Sequence, residues 1–246
     1  YEIPKRDWSS DVCSSDLRMG RRMSARDAAV AAVVAALEPR LGERVAAGAA
    51  IGPLTTYRLG GPAAVLVRVA DDEELALVAA ARSAAPDLPL VAVGRGSNLV
   101  VSDAGFDGIV VMLEGAFEAV EIGEASVRAG GAVPLPVLAR RAAAAGRTGL
   151  EFYVGIPGSV GGAVRMNAGG HGRQTSDVLL TASVADLAGS GTPERRACDA
   201  LDLTYRHSNL RDDELVTAAE FAVTADAAPA CEERLAEIVQ IGRAHV

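Results

Sequence analysis

Aromatic residues are scarce in this 246-residue chain: one Trp, four Tyr and four Phe amount to 4% of it, although half of all residues are hydrophobic. A core made from it must be mostly Ala, Val and Leu. Cysteine and histidine are equally thin, three of each. Cys13 and His245 fall in terminal stretches set apart below. The remaining Cys198, Cys231, His171 and His207 have neither metal-ligand spacing nor the look of a disulfide framework. That argues against a metal site or a histidine-based triad and fits a reducing, cytoplasmic setting. Basic residues are outnumbered, 24 Lys and Arg against 32 Asp and Glu, giving a net charge of −8 and a pI near 5.0. Such a balance argues against nucleic acid and anionic membrane as partners. No apolar run approaches the roughly 20 residues of a membrane-spanning helix, and no repeat, low-complexity linker or signal for an obligate protein partner is present.

The two ends of the chain share an unusual property. Asp11 to Leu17 (DVCSSDL) can be coded by GAC GTG TGC TCT TCC GAT CT. The reverse complement of that string, read with one preceding C, codes Gln-Ile-Gly-Arg-Ala-His-Val, which is Gln240 to Val246. Ends coded by opposite strands of one oligonucleotide are expected of a sequencing adapter translated at both edges of a gene fragment. Residues 1–17 and 240–246 are therefore read as non-native tails, with the native chain cut at about Val239.

Between the tails the length allows one large or two small domains with an ample core. Ser24 to Leu37 has a helical pattern, with Ser24 as N-cap and Glu38-Pro39 expected to end it. A turn-rich stretch from Gly52 to Pro62 leads to a strand at Ala64 to Val69. Asp71 to Glu74 opens a helix through about Ala84, its acids placed where the macrodipole favours them. Leu88 to Val93 is a short buried strand, completing a small βαβ unit. Strands are expected at Leu99 to Val101, Gly108 to Leu113, Phe117 to Ile122 and Ser126 to Ala129, and a helix over Pro134 to Ala145 started by its two prolines. Thr181 to Leu187 and Thr192 to Ala197 form a hairpin around Ala188 to Gly191. A helical turn at Cys198 to Ala200, a strand from Glu214 to Thr224 and a helix from Pro229 complete the pattern. The class is α+β, in two lobes of residues 24–115 and 116–226, with residues 227–239 beginning a further domain.

Two glycine-rich stretches interrupt these elements. Gly149 to Gly172 holds eight glycines, a density that weakens helix and strand alike. It reads either as a long surface loop or as backbone kept bare for a ligand, and the interleaved Ile156, Val160, Val164 and Met166 favour burial. Gly155 to Ser159 forms a turn whose Ser159 caps a short helix through Val164, an end suited to a phosphate or flavin edge. The second stretch, Gly94-Arg95-Gly96-Ser97-Asn98, follows a strand, yet it is not the dinucleotide fingerprint: Leu99 stands where the third glycine belongs, and a strand rather than a helix is expected next. It remains either an ordinary β-turn or an anion-binding nest of N–H groups with the Ser97 and Asn98 side chains.

Taken in order, Thr55-Thr56-Tyr57-Arg58-Leu59-Gly60-Gly61, Gly94-Arg95-Gly96-Ser97-Asn98-Leu99, Gly149-Leu150-Glu151, Ile156-Pro157-Gly158-Ser159-Val160-Gly161-Gly162-Ala163 with Met166-Asn167-Ala168-Gly169, and Tyr205-Arg206-His207-Ser208 resemble the UDP-N-acetylenolpyruvoylglucosamine reductase family, in its second-type loop pattern. The likeness runs from about Ser24 to Val239, with Gly170-His171-Gly172 where the family often carries a tyrosine. It implies a two-lobed FAD-binding fold of the vanillyl-alcohol oxidase type, with FAD and NADPH as cofactors and UDP-N-acetylglucosamine enolpyruvate as substrate. It further implies that the pyrophosphate rests on Gly94 to Asn98 and on Pro157 to Gly162. Tyr57, Leu99, Ile156, Ala168 and Gly169 join the cofactor site, and Met166 and Asn167 flank the flavin ring. Arg206 is the catalytic arginine, stabilising negative charge on the substrate, beside Tyr205 in substrate binding. The family's proton-donating serine and the glutamate partner of the arginine would lie beyond Val239, so the chain as given is expected to keep the flavin site and lack turnover. An oxidase of the same fold, often with FAD attached through His or Cys, is the competing reading, and a flavin binder without catalysis is a third. Deleting residues 1–17 and 241–246 should leave the melting temperature unchanged; a drop of several degrees would refute the reading of the tails.

Overall fold

The computed structural model describes the backbone of residues 24–244 and the side chains of 24–240. The tail at 1–17 and the side chains of 241–246 lie outside the described residues.

Helix α1 (Ala25–Leu41) starts on a reciprocal cap: the Asp27 N–H donates to Ser24 Oγ at 3.0 Å, and the Ser24 N–H donates to Asp27 Oδ2 at 3.2 Å. Pro39, expected to stop it, lies inside its last turn. Proline removes one backbone donor and crowds the preceding turn. Here the helix nonetheless continues to Leu41, which is buried on the same stripe as Val33 and Leu37, and stops at Gly42, at φ 56°. Strand β1 (Val45–Ala47) pairs antiparallel with β2 (Ala63–Val69). Helix α2 (Asp72–Ser83) is capped by Asp71, whose Oδ1 accepts from the Glu74 N–H at 2.9 Å. Strands β3 (Leu90–Ala92) and β4 (Phe106–Leu113) complete a sheet ordered β1-β2-β4-β3, with β2, β4 and β3 mutually parallel. The β2–α2–β3 unit thus spans a gap that β4 later fills. Leu99 to Val101 forms no strand, a departure from expectation. Val101 sits against Gly60 and the Gly61 N–H donates to Ser102 O at 2.8 Å, which pins the segment to the turn before β2 instead of to a ladder.

Phe117, expected in a strand, lies in a 3₁₀ turn (Gly115–Glu118) that buries its ring; only β5 (Val120–Ile122) pairs beyond it, with β6 (Ser126–Gly130). Helix α3 (Leu135–Ala144) follows, with Pro134 as its cap residue and Pro136 in its first turn. Then come β7 (Arg147–Thr148), the short α4 (Val160–Arg165), the ribbon β8 (Gly169–Gly170) and β9 (Arg173–Gln174), the hairpin β10 (Leu179–Asp186) and β11 (Pro193–Ala197), β12 (Glu214–Ala222), β13 (Thr224–Ala225) and α5 (Ala228–Ala244). The second sheet is antiparallel throughout, in the order β11-β10-β12-β6-β5.

Strand alternation sorts the first sheet's side chains. Val65, Val67, Ile109 and Val111 pack with Leu37 and Leu75 under the two helices, while Leu66 and Val110 face the other way with Ile51 and Val93. Ala185, Leu187 and Leu215 of the second sheet belong to the helix-side cluster, so the two sheets share apolar contact. The larger core lies between the second sheet and α3, α4 and α5, around Leu138, Tyr153, Val164 and Phe221.

Glu151, buried beneath α5, anchors that helix. Its carboxylate accepts from Thr148 Oγ1 (2.7 Å), the Gly149 N–H (2.7 Å) and Arg234 Nε (3.0 Å), and Arg234 also reaches Asp226 at 2.7 Å. Burial works against its charge, and these donors outweigh it, holding the carboxyl below the usual carboxylate range. A carboxylate whose folded pKa is depressed stabilises above its unfolded value, about 4.3, and loses that contribution as pH falls through the folded value. Glu151→Gln should therefore cost about 1–3 kcal/mol at pH 7, seen as a lower Tm. The difference from wild type should shrink below pH 4; a pH-independent difference would refute this account.

Candidate functional site

The first wall of the site is the loop after β3. The Val93 N–H still bonds to Val111 O at 2.9 Å, but among the described residues none of the five N–H groups from Gly94 to Asn98 has a partner in the chain. Gly94, Arg95 and Asn98 are exposed and all five residues line the cleft described below, so their N–H groups are available to an acceptor placed there. Gly96 makes the loop possible. It stands at φ 61°, a β-carbon there would overlap Leu54 O, and its carbonyl accepts from the Thr56 N–H at 3.1 Å.

The second wall is the turn from Ile156 to Ser159 and the helix α4. The two walls touch: Ser97 Oγ donates to Pro157 O at 3.1 Å, and a β-carbon on Gly94 would overlap Ser159 Oγ. The sequence-based picture of Pro157 to Gly162 as a row of free donors needs correction. The Val160 and Gly161 N–H groups bond to Val133 O and Gly131 O, both at 2.9 Å, locking the turn onto the β6–α3 connection. Ser159 holds the cap position of α4, but its hydroxyl makes no cap bond. The N–H groups of Gly158 and Ser159 have no partner among the described residues.

Between the walls lies a cleft of about 1170 Å³, larger than the roughly 300–1,000 Å³ of most small-molecule sites and sized for an extended ligand. Gly94 to Leu99, Ile156 to Ser159, Gly161, Gly162, Met166 to Gly169, Tyr205 and Arg206 all line it. Tyr57 does not. The turn carrying it is tied to the Gly94–Asn98 loop by the Thr56 N–H donating to Gly96 O, and Tyr57 is 63% exposed. Sequence reasoning missed Arg68 and Arg173, which line the cleft with Arg95 and Arg206; among the described residues none of the four guanidiniums has an ion-pair partner. Arg68 occupies a β2 position facing away from the helix-covered side, which strand alternation alone could have indicated. For Arg173, on a two-residue strand, no local signal exists. Arg165 also lines the cleft, but its guanidinium is spent on Leu210 O, Arg211 O and Asp212.

Arg206 is presented by a two-residue turn. Thr204 and His207 exchange backbone hydrogen bonds of 3.1 and 3.2 Å, and Arg206 takes the left-handed conformation at φ 53°, its guanidinium 5.6 Å from the Tyr205 ring. Asn167, also left-handed at φ 41°, is buried, and its side-chain amide bonds within the chain to Gln174, Thr204 and Ser176. His171 stands outside the cleft with Nε2 against Gly155. Among the described residues no histidine or cysteine lines the cleft.

Comparison with known proteins agrees with this geometry. Residues 63–192 match a family model described as an FAD binding domain. The chain is 44% identical over 192 residues to the UDP-N-acetylenolpyruvoylglucosamine reductase of Caulobacter vibrioides, covering 77% of this chain and 62% of that one. The crystal structure of the same-named reductase from Thermus caldophilus superimposes with a TM-score of 0.69 at 31% identity, over 79% of this chain and 68% of that one. A VAO-type flavoprotein from Myceliophthora thermophila, at 12% identity and a TM-score of 0.53 over 70% of this chain and 34% of its own, shares the fold alone. The chain spans about three fifths of the length of the curated relatives it matches. It therefore carries an FAD-binding domain, in the two-sheet α+β architecture of that fold.

Because Gly96 seats the donor loop against Leu54, Gly96→Val should abolish binding of added FAD, whereas Arg95→Ala, which leaves the loop backbone intact, should only weaken it. Equal occupancy in the two variants, measured by flavin absorbance after desalting, would refute the assignment of the loop.

Proposed function

The chain belongs to the UDP-N-acetylenolpyruvoylglucosamine reductase family, and on that premise we propose that it serves the NADPH-dependent reduction of UDP-N-acetylglucosamine enolpyruvate to UDP-N-acetylmuramate, a step of peptidoglycan precursor synthesis. The observation that carries this reading is a cleft lined by Gly94 to Asn98, whose five N–H groups have no partner among the described residues, together with Arg68, Arg95, Arg173 and Arg206, which make no ion pair among them, in a chain of net charge −8. A diphosphate is what such donors suit. The cleft fits FAD on that ground and in volume.

In this reading the N–H groups of Gly94 to Asn98, Gly158 and Ser159 hold the pyrophosphate. Leu99, Ile156, Met166, Asn167, Ala168 and Gly169 form the wall along the ring system; Gly162 leaves that wall without a side chain, and Gly161, where a β-carbon would press on Val216 O and Gly131 O, lets α4 lie close to the second sheet. FAD, when bound, would supply hydride transfer between NADPH and the enolpyruvyl carbon. Arg206 is the catalytic residue. Its planar fork grips the substrate carboxylate and supplies positive charge where negative charge gathers during reduction, with Tyr205 beside it in substrate binding. We take residues 24–115 and 116–226 as the two lobes and 227–239 as the start of a third unit. The reaction is placed in the cytoplasm, in keeping with the free cysteines Cys198 and Cys231.

With no histidine or cysteine lining the cleft, the flavin should be held without a covalent bond. Acid precipitation should release it to the supernatant. In a homologue of the family's full length, NADPH should be consumed only when the enolpyruvyl nucleotide is added, and replacing the arginine that matches Arg206 by alanine should lower kcat/KM by on the order of 10²–10³. Flavin retained in the acid pellet, or oxidation of a sugar or alcohol without NADPH, would overturn the reading in favour of an oxidase.

A further inference from the structure

Two residues of this chain hold left-handed backbone close to the cleft and touch the same turn. Arg206, at φ 53°, occupies the second corner of the Thr204–His207 turn, in a left-handed conformation that residues other than glycine adopt uncommonly. Asn167, at φ 41° and 3% exposed, sits at the end of α4. Its amide is saturated: Nδ2 donates to Thr204 O at 3.1 Å and to Gln174 Oε1 at 3.2 Å, and Oδ1 accepts from the Ser176 N–H at 2.9 Å. The backbone N–H of Ser176 on one side and the carbonyl of Thr204 on the other fix which way the amide faces. Thr204 O accepts twice, from Asn167 and from the His207 N–H that closes the turn. The far end of the turn is tied separately, by Ser208 Oγ donating to Arg165 O at 2.8 Å. Both anchors thus rise from α4 or its end, so the turn that carries Arg206 is held from the glycine-rich segment.

We infer that Asn167 is a positioning residue: its side-chain amide, through Thr204 O, fixes the turn that presents Arg206 to the cleft. The inference rests on the role proposed above for Arg206. Asn167 lines the cleft, yet its side-chain amide is spent on three partners within the chain.

Two substitutions address the amide differently. Asn167→Asp keeps the shape but sets an acceptor against Thr204 O and Gln174 Oε1. Asn167→Gly removes the amide while suiting the left-handed backbone, so it remains informative if the aspartate variant fails to fold. In both, hydrogen exchange at the His207 and Thr204 N–H groups should rise by on the order of tenfold while β12 keeps its protection. Affinity for UDP-N-acetylglucosamine enolpyruvate, measured by titration, should fall to that of Arg206→Ala, and the Asn167→Gly/Arg206→Ala double variant should be no weaker than Arg206→Ala alone. Unchanged exchange in the turn, additive losses in the double variant, or loss of β12 protection in both variants would overturn the inference. If Arg206→Ala binds as wild type while the turn loosens in the Asn167 variants, the role of Arg206 fails and the control of the turn by Asn167 stands.

Discussion

The site depends on two backbone turns from different sheets being allowed to touch. Ser97 of the first reaches Pro157 O of the second, and the approach is close enough that a single β-carbon on Gly94 would strike Ser159. Everything else in the cleft follows from that contact. The first turn can lie against Leu54 only because Gly96 has no side chain, and among the described residues the N–H groups from Gly94 to Asn98 have no partner in the chain. The second is rigid because the Val160 and Gly161 N–H groups are spent on Val133 and Gly131. One wall is therefore a bare donor surface and the other a braced support. Their division of labour explains why glycine is concentrated where it weakens regular structure most.

Charge complements the backbone. An acidic chain would on average repel a phosphorylated ligand, but the field that matters is local. Three of the five carboxylates lining the cleft are paired, Glu214 with Arg196 and Arg211, Asp212 with Arg165 and Glu114 with Arg44, and Asp177 accepts from the Gln174 N–H. Arg68, Arg95, Arg173 and Arg206 have no such partner among the described residues. Four guanidiniums are thus open to an anionic ligand, against two lining carboxylates, Glu118 and Asp177, that have no ion-pair partner among the described residues.

What could be read from the sequence was what local chemistry decides. The Ser24 cap, the acidic opening of α2, the β10–β11 hairpin and both glycine-rich turns were visible because each is specified within a few residues. The resemblance to a reductase family supplied Arg206, whose isolated position in a turn carries little signal. Features set by distant partners were not legible. Pro39 reads as a helix stop until Leu41 is known to be buried. The amides of α4 read as free until Val133 and Gly131 are brought beside them. Asn167 reads as a ligand-facing side chain, yet its partner Thr204 lies 37 residues away and becomes its neighbour only through the second sheet. Tyr57 belongs to a motif segment whose backbone supports the site while its side chain faces outward.

Strand order has a consequence for how the molecule assembles. β3 borders only β4, and β4 is made after the loop that β3 feeds. During synthesis the Gly94–Asn98 loop therefore emerges with no sheet to hold its base, because β2 and β3 leave vacant the lane that Phe106–Leu113 must enter. Insertion of that central strand closes a long, parallel pairing, the slow kind of step in folding. The donor surface is thus a product of late registration: it exists only once the middle of its sheet has been filled, and a chain stalled before Leu113 would carry the motif without the site.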